Sequence, residues 1–389
     1  MRDTSISANT GVGAPAGVQG RDQPSSLWGD VWIQFRRHRM AMAGLAVFLL
    51  FLAVAILGMG LTTGEQPVLD PSMVRLPEKL RPPMTRARVQ LLKPHEVPPM
   101  GVYLLGTDEL GRDVFSRMMQ GAWVSLTVGF VAVGIAVGIG ILLGGLAGYY
   151  GPRQVALGHL AGWTGVLGAG LAMWAGAKGL GLALGGAGVS VLIACRLFGG
   201  NEGVAGRLLG VPLVSVDTLI MRLVDVMLCF PSFFLILTVV ALLPASIYNI
   251  MAVIGLTSWM GTARFVRAEF LALREQDFVA AARALGLSDA RIIFRHLVPN
   301  GIAPVLVSAT LGIAGAILTE AGLSFLGFGV PPPHATWGNI LSDGKRYLFD
   351  APWLTLIPGC AVLVVVLAFN LFGEGLREAL NPRLRRRKA

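Results

Sequence analysis

Residues 40–61 read MAMAGLAVFLLFLAVAILGMGL, an uncharged stretch of 22 residues. As an α-helix with a rise of about 1.5 Å per residue, it would be roughly 33 Å long and could cross the ~30 Å hydrocarbon core of a bilayer. Arg36, Arg37 and Arg39 flank its start, and the run is longer and farther from the terminus than the apolar region of a cleaved signal peptide. We therefore predict an uncleaved first membrane span whose amino end lies in the cytoplasm.

The composition of the whole chain agrees with a membrane protein. Of its 389 residues, 54% are hydrophobic and only 14% are charged, and the mean hydropathy is +0.67. A soluble chain of this length needs a larger charged fraction to cover its surface, so a cytosolic enzyme, a disordered protein and a secreted disulfide scaffold are excluded. The formal net charge of +10 comes mostly from cations at the ends of apolar runs. That placement favours an orientation signal over nucleic acid binding.

Seven further uncharged runs predict additional spans. They lie at residues 122–150, 155–177, 179–195, 226–243, 250–263, 301–319 and 353–372. If all eight runs cross, the arginine-rich connections fall on one side of the membrane, as the positive-inside rule requires of cytoplasmic segments. The tails at residues 1–39 and 374–389 then both lie in the cytoplasm, and residues 62–121 form an extracytoplasmic segment.

The run at residues 122–150 carries a stripe of glycine residues. Gly140, Gly144 and Gly148 are four residues apart, and Gly134 and Gly138 repeat the same step. Residues four apart lie on one face of a helix, so this stripe lets another helix approach closely. We expect it to serve helix packing rather than to form a substrate path.

Residues 264–300 leave the membrane but do not have the pattern of a linker. Apolar residues at helical spacing predict a short amphipathic helix there: Phe278, Ala281, Ala282 and Leu285. Gly286 suits the left-handed residue that ends such a helix. Ser288 suits the N-cap of a second short helix, and Pro299 suits the start of the next span. The predicted structure is two helices joined by a tight turn.

Two interpretations of the first of these helices remain open. Alanine at positions 280, 281, 282 and 284 leaves one flank nearly free of side chains, so the backbone of a partner could approach closely. Alternatively, it is an ordinary amphipathic helix that lies on lipid headgroups.

The loop and five other segments carry recognisable motifs. They are AAARALG (280–286), HLVPN (296–300), LGTDELGRD (105–113), SLTVG (125–129), EAGLSFLG (320–327), WGN (337–339) and residues 35–44. The first two resemble the coupling loop in permease subunits of ATP-binding cassette importers. The others are similar to the dipeptide, oligopeptide and nickel branch of that family. The matches extend over most of the chain outside residues 151–211.

The resemblance implies an all-α membrane protein with a six-helix importer-permease core, to which the insertion at residues 151–211 adds two transmembrane helices. Residues 212–373 would form the transport core, and residues 264–300 would be the cytoplasmic loop that couples it to an ATPase. The coupling residues would be Phe278, Ala280, Ala281, Ala282, Arg283, Leu285, Gly286 and Pro299.

The resemblance also implies the partners and the location. A second homologous permease subunit, two ATPase subunits and an extracytoplasmic substrate-binding protein would join this chain in the lipid bilayer of a bacterial-type plasma (inner) membrane. The cargo would be peptides or a related small solute, moved by alternating access that the separate ATPase drives. We expect no nucleic acid partner, cofactor, metal site or catalytic residue in this chain, which would not be an enzyme.

Two departures from the family pattern affect these expectations. Ala280 stands where the family motif has glutamate, so any role of that carboxylate is missing or is taken by Glu275 or Asp277. The contact with an ATPase would then rest on shape and apolar surface. Residues 152–211 replace a short turn, and an insertion whose flanks keep their orientation must cross the membrane an even number of times.

Motifs of several other functions are absent from the sequence. It has no Gly-x-x-x-x-Gly-Lys-Ser/Thr phosphate loop, no His-Glu-x-x-His and no Gly-x-Ser-x-Gly. A stand-alone secondary carrier or channel, or a membrane scaffold, remains the alternative. A proton-driven carrier needs carboxylates inside its spans, whereas Asp217, Asp225 and Glu320 are predicted at the headgroup boundary, with Arg222 paired to Asp225.

Overall fold

The computed structural model describes residues 27–65, 67–151, 154–156, 166, 169, 173, 178–198 and 212–380. In chain order the helices of these ranges are α1 (Leu27–Arg37), α2 (Arg39–Thr62), α3 (Val114–Tyr150), α4 (Lys178–Phe198), α5 (Val216–Leu228), α6 (Ser232–Leu242), α7 (Ile247–Thr257), α8 (Trp259–Leu273), α9 (Asp277–Ala284), α10 (Asp289–Arg291), α11 (Val298–Asn300), α12 (Ile302–Phe325), α13 (Trp337–Gly344) and α14 (Trp353–Leu380). A π-helix lies at Ile292–Leu297, and short 3-10 helices lie at Leu76–Glu78, Val89–Leu91, Pro94–Glu96 and Lys345–Tyr347. Strands β1 (Thr85–Arg86) and β2 (Val102–Tyr103) form one antiparallel pair, and β3 (Gln154–Ala156) and β4 (Pro212–Ser215) form another.

Four helices within the described ranges are long and apolar enough to cross a membrane, namely α2, α3, α12 and α14. The helices α5 and α6 form a further apolar pair with an 80° bend between them, which gives five candidates if that pair is one span. The expectation of an all-α membrane protein is confirmed in this general form. The finer expectation of a six-helix core with two inserted helices stays a prediction.

The structure divides two of the predicted runs. Within residues 226–243, α5 and α6 are separated by a break, and Pro231 occupies the N-cap position of α6. Proline has no N–H to continue the helical hydrogen bonds and disfavours helical geometry at the preceding residue, so the break falls at this position. Residues 250–263 are divided between α7 and α8, which meet at Ser258.

The long helix α3 lies at the centre of the bundle and contacts α2, α7, α8 and α12. Its fully buried residues Val124 and Val128 share one apolar cluster with Ile254 of α7 and Ile317 of α12. Inside a membrane such contacts stabilise through close van der Waals packing, because lipid tails are as apolar as the side chains.

The glycine stripe of α3 faces α8 along only part of its length. A Cβ added at Gly144 would lie 2.4 Å from the carbonyl oxygen of Ala263, and one added at Gly140 or Gly148 would lie 2.6 Å from an atom of α8. Among the described residues, none lies within 4 Å of a Cβ added at Gly134 or Gly138. The predicted close approach is therefore confirmed for the second half of the stripe, whereas the first half has no such neighbour among the described residues.

Before α3, the chain folds into a compact turn around Asp108. This carboxylate is fully buried and accepts hydrogen bonds of 2.6 Å from Nε of Arg112 and 2.6 Å from Nη1 of Arg117. Both arginines also pair with Asp343 of α13, at 3.2 Å and 2.9 Å. Two positive and two negative groups are thus balanced, and they join the start of α3 to α13.

The two ends of the insertion lie side by side. β3 follows α3 and pairs with β4, which leads into α5, so that Val155 lies opposite Val214. The chain therefore leaves α3 and enters α5 at adjacent points. The helix α4 lies within the insertion, whereas most of the predicted run at residues 155–177 lies outside the described residues.

Glu320, which the sequence places near the outer headgroup boundary, is enclosed by neighbouring helices. Its side chain is fully buried and accepts hydrogen bonds from Ser324 at 2.7 Å and from Ser125 of α3 at 3.2 Å. The reason is tertiary: α3 and α13 both pack against α12 and cover its last turns.

Candidate functional site

The loop between α8 and α12 begins with α9, whose end has the geometry expected from Gly286. This glycine has a φ of +71°, and its N–H donates a 2.9 Å hydrogen bond to the carbonyl of Arg283. The N–H of Leu287 donates to the carbonyl of Ala282 at 3.2 Å. These two bonds form a Schellman motif, which satisfies carbonyls that the helix end leaves free. Glycine suits this turn because a Cβ is strained at a positive φ.

The second half of the loop differs from the expected single short helix. α10 has three residues, and Ser288 precedes it without a side-chain capping bond. The chain continues as the π-helix and α11, neither of which the sequence pattern predicted. Pro299 lies in α11, and Gly301 separates it from α12, so this proline is not in the first turn of the long helix.

One face of α9 is fixed to the helix bundle. Val279 is fully buried and Ala282 is 4% exposed, and both pack in a cluster with Phe270 of α8 and with the π-helix. Just beyond the turn, Asp289 accepts a 2.7 Å hydrogen bond from the hydroxyl of Tyr149, which lies at the end of α3. Displacement of α9 must therefore displace or strain its contacts with α3 and α8.

A neighbouring face of α9, about 100° around the helix from Val279 and Ala282, is apolar and exposed. Phe278 is 38% exposed and Leu285 is 80% exposed, and the exposed Ala281 lies between them. Their spacing of three and four residues places them along one side of the helix and its final turn. We call Phe278, Ala281 and Leu285 the outward stripe.

The predicted coupling residues are thus divided between two faces. Ala282 packs inward, whereas Ala280 is exposed beside the outward stripe. The guanidinium of Arg283 lies 5.3 Å from the ring centre of Tyr149, a distance typical of a cation–π contact. Val279, the most buried residue of α9, is not among the predicted coupling residues. Its spacing of three residues from Ala282 is the signal that could have identified it.

Ion pairs that the sequence did not predict join α8 to α5. Arg267 binds Asp217 through two nitrogens, and its Nη2 lies 2.6 Å from Oδ2. Arg264 donates a 2.7 Å hydrogen bond to Asp225, whereas the expected local pair of Asp225 with Arg222 is longer, at 3.8 Å. The loop therefore contacts α3 and α8 directly, and it is connected to α5 through α8.

Comparison with known proteins identifies the family. Residues 203–386 match the family model of the binding-protein-dependent transport system inner membrane component. Residues 26–83 match the N-terminal TM domain of oligopeptide transport permease C. The chain is 32% identical to the dipeptide transport system permease protein DppC of Alkalihalophilus pseudofirmus, over 92% of this chain and 91% of that protein. The chain belongs to this family of importer permeases.

Two further relatives agree with the permease assignment. A putative peptide transport system permease protein of Brucella abortus is 34% identical over 90% of both chains. The oligopeptide transport system permease protein OppC of Bacillus subtilis is 29% identical over 93% of this permease and 91% of its own length. The resemblance to ATP-binding cassette importer permeases is confirmed, and a stand-alone carrier or channel is not favoured. The permease is an integral inner membrane component of a transport family rather than of an enzyme family.

Proposed function

We propose that this permease is a membrane subunit of an ATP-driven importer that translocates peptides or a related small solute. The three relatives described above are named as dipeptide, oligopeptide or peptide permeases, which supports a peptide cargo. Its partners would be a second homologous permease, two ATPase subunits and an extracytoplasmic substrate-binding protein.

The observation that carries the coupling proposal is an apolar outward stripe on a helix whose other face is fixed. Fully burying a side chain such as Leu285 or Phe278 contributes on the order of 1.5–3 kcal/mol. A groove in an ATPase subunit would bury both, and alanine at positions 280 and 284 would let the groove approach the backbone. Because Ala280 replaces the glutamate of the family motif, the contact would depend on shape and apolar surface.

Movement of α9 would reach the bundle through three side-chain contacts. Ala282 packs against α8, and Asp289 holds the end of α3 through Tyr149. Arg267 passes the displacement of α8 to Asp217 of α5. Closure of the ATPase dimer on ATP would thereby tilt these helices and shift the permease from an inward-facing to an outward-facing state.

The topology that we propose has eight spans, with both termini in the cytoplasm and residues 62–121 outside. Two spans come from residues 151–211. The distribution of arginine along the chain supports this orientation, and the pairing of β3 with β4 supports an even number of crossings in the insertion.

Replacing Ala281 by aspartate tests the coupling role of the outward stripe. In the proposed ATPase groove the new carboxylate would be buried without a partner, which costs well over 1.4 kcal/mol. We therefore expect peptide uptake to fall by about tenfold or more. Insertion into the membrane stays normal because the position is exposed. The measurement is uptake and ATP hydrolysis by the complete complex in proteoliposomes.

Ala290→Asp is the matched control, because Ala290 is exposed in the same loop but lies outside the outward stripe. We expect this variant to retain uptake. Normal uptake by the Ala281→Asp complex, or an equal loss in both variants, would contradict the proposed contact. Separately, ATP-independent uptake by the purified permease alone would contradict the importer assignment itself.

A further inference from the structure

The helix α1 is docked by one face onto the end of α14. Phe35 is 3% exposed and Val31 is 9% exposed, and both belong to an apolar cluster that includes Ala379. The rings of Phe35 and Phe372 meet edge to face with their centres 5.6 Å apart. This packing holds α1 at a constant position beside two long apolar helices, α2 and α14.

The other face of α1 combines exposed apolar side chains with exposed cations. Trp32 is 50% exposed and Ile33 is 55% exposed. Arg36 and Arg37 follow them one helical turn later, and Arg39 opens α2; all three arginines are exposed. Within the described part of the chain, none of these three guanidinium groups has an ion-pair partner.

The connection between α1 and α2 keeps these groups at the end of a membrane-crossing helix. His38 adopts an extended backbone between the helices, and its Nδ1 accepts a 3.1 Å hydrogen bond from the N–H of Ala41. Its Nε2 lies 3.5 Å from Glu378 of α14, so this nearby acid already has a partner. Because α2 is long and apolar enough to cross a membrane, we expect the arginines at its start to lie where the hydrocarbon core gives way to the headgroup region.

We propose that the exposed face of α1 is a binding site for anionic phospholipid. Tryptophan favours the membrane–water interface, and an apolar helix face flanked by arginine is typical of helices that lie in the interfacial plane. Guanidinium groups bind phosphate with two parallel hydrogen bonds and carry the charge that attracts an anionic headgroup. Trp32 and Ile33 would contact the acyl chains, while Arg36, Arg37 and Arg39 contact the headgroup. This site depends on the membrane assignment but not on coupling to an ATPase.

The test is binding of short-chain phosphatidylglycerol and phosphatidylcholine to the full-length permease in detergent. We expect the wild type to bind phosphatidylglycerol more tightly and to lose that preference at high salt, which screens exposed charges. The variant R36Q/R37Q/R39Q should bind phosphatidylglycerol roughly a hundredfold more weakly at low salt. Restoring the charge in R36K/R37K/R39K should recover most of the affinity, and Trp32→Ser should weaken the binding of both lipids.

The matched control is R86Q/R88Q/R346Q, which removes three exposed arginines far from α1 along the chain and should leave lipid binding unchanged. Inorganic phosphate should not displace the lipid, because it lacks the acyl chains that Trp32 and Ile33 contact. The proposal is overturned if R36Q/R37Q/R39Q binds phosphatidylglycerol like the wild type or if inorganic phosphate displaces the lipid. It is equally overturned if R36Q/R37Q/R39Q no longer copurifies with an ATPase but still binds phosphatidylglycerol as the wild type does. Normal uptake by the Ala281→Asp complex, which would contradict the coupling proposal, would leave this test unaffected.

Discussion

At the scale of single residues, variants of Glu320 measure how much a buried carboxylate contributes to the stability of this bundle. Glu320→Ala leaves the hydroxyls of Ser125 and Ser324 without their present partner, and an unsatisfied buried polar group costs about 1–3 kcal/mol. We expect this variant to lose roughly 2–4 kcal/mol of stability, including the cavity that it creates. Glu320→Gln keeps an acceptor oxygen and should lose far less. Thermal unfolding of the permease in detergent measures both, and equal stability of the two variants would contradict this role.

Some residue-scale features were predictable from the sequence because they depend on local backbone geometry. Gly286 ends α9 at a positive φ. A tight turn at that place requires such a φ in almost any structure. Pro231 lies at a helix break for an equally local reason. Glu320 was not predictable in this way, since its burial depends on α3 and α13, which are distant from it in sequence.

At the scale of elements, the contact between α3 and α8 depends on the absence of side chains. Gly144→Leu would push a side chain into the backbone of Ala263, where even a Cβ would lie 2.4 Å from the carbonyl oxygen. Overpacking of this kind costs about 1–3 kcal/mol, so we expect a lower unfolding temperature and weaker coupling of ATP hydrolysis to uptake.

Gly138→Leu is the matched control for that variant. Gly138 is part of the same stripe on α3, but no residue in the described ranges lies within 4 Å of a Cβ added there. Removing a glycine from the middle of a helix stabilises it by about 0.5–1 kcal/mol, so we expect no loss of stability in the isolated permease. A lower unfolding temperature in both variants would show that the close approach to α8 is not the cause.

The amphipathic pattern of α9 predicted a helix but not which face would be buried. Phe278 and Leu285 are the largest apolar side chains of the loop helix and its turn, yet both are exposed, and the smaller Val279 is buried. Hydrophobicity alone favours burying the larger residues. The choice depends on the shape of the surface formed by α3, α8 and the π-helix, which the local sequence does not contain.

At the scale of the whole molecule, the pairing of β3 with β4 predicts that the insertion can be removed. Deleting residues 157–211 and joining Ala156 to Pro212 through Asn-Gly would form a two-residue hairpin between strands that are already paired. We expect a reporter at Ala389 to remain on the same side of the membrane, because an even number of crossings would be lost. Protease protection of the reporter in spheroplasts measures this, and a reporter that changes sides would refute the even number.

The sequence by itself determined that this protein is a helical membrane permease. The length and apolarity of residues 40–61, and motifs such as LGTDELGRD at residues 105–113, are properties of the chain that no folding step alters. The tertiary structure alone decided which side of α9 is free, that Glu320 is enclosed, and that Arg267 reaches Asp217 on another helix. These features depend on contacts between residues far apart in the chain, and packing geometry rather than local propensity selects among the possible contacts.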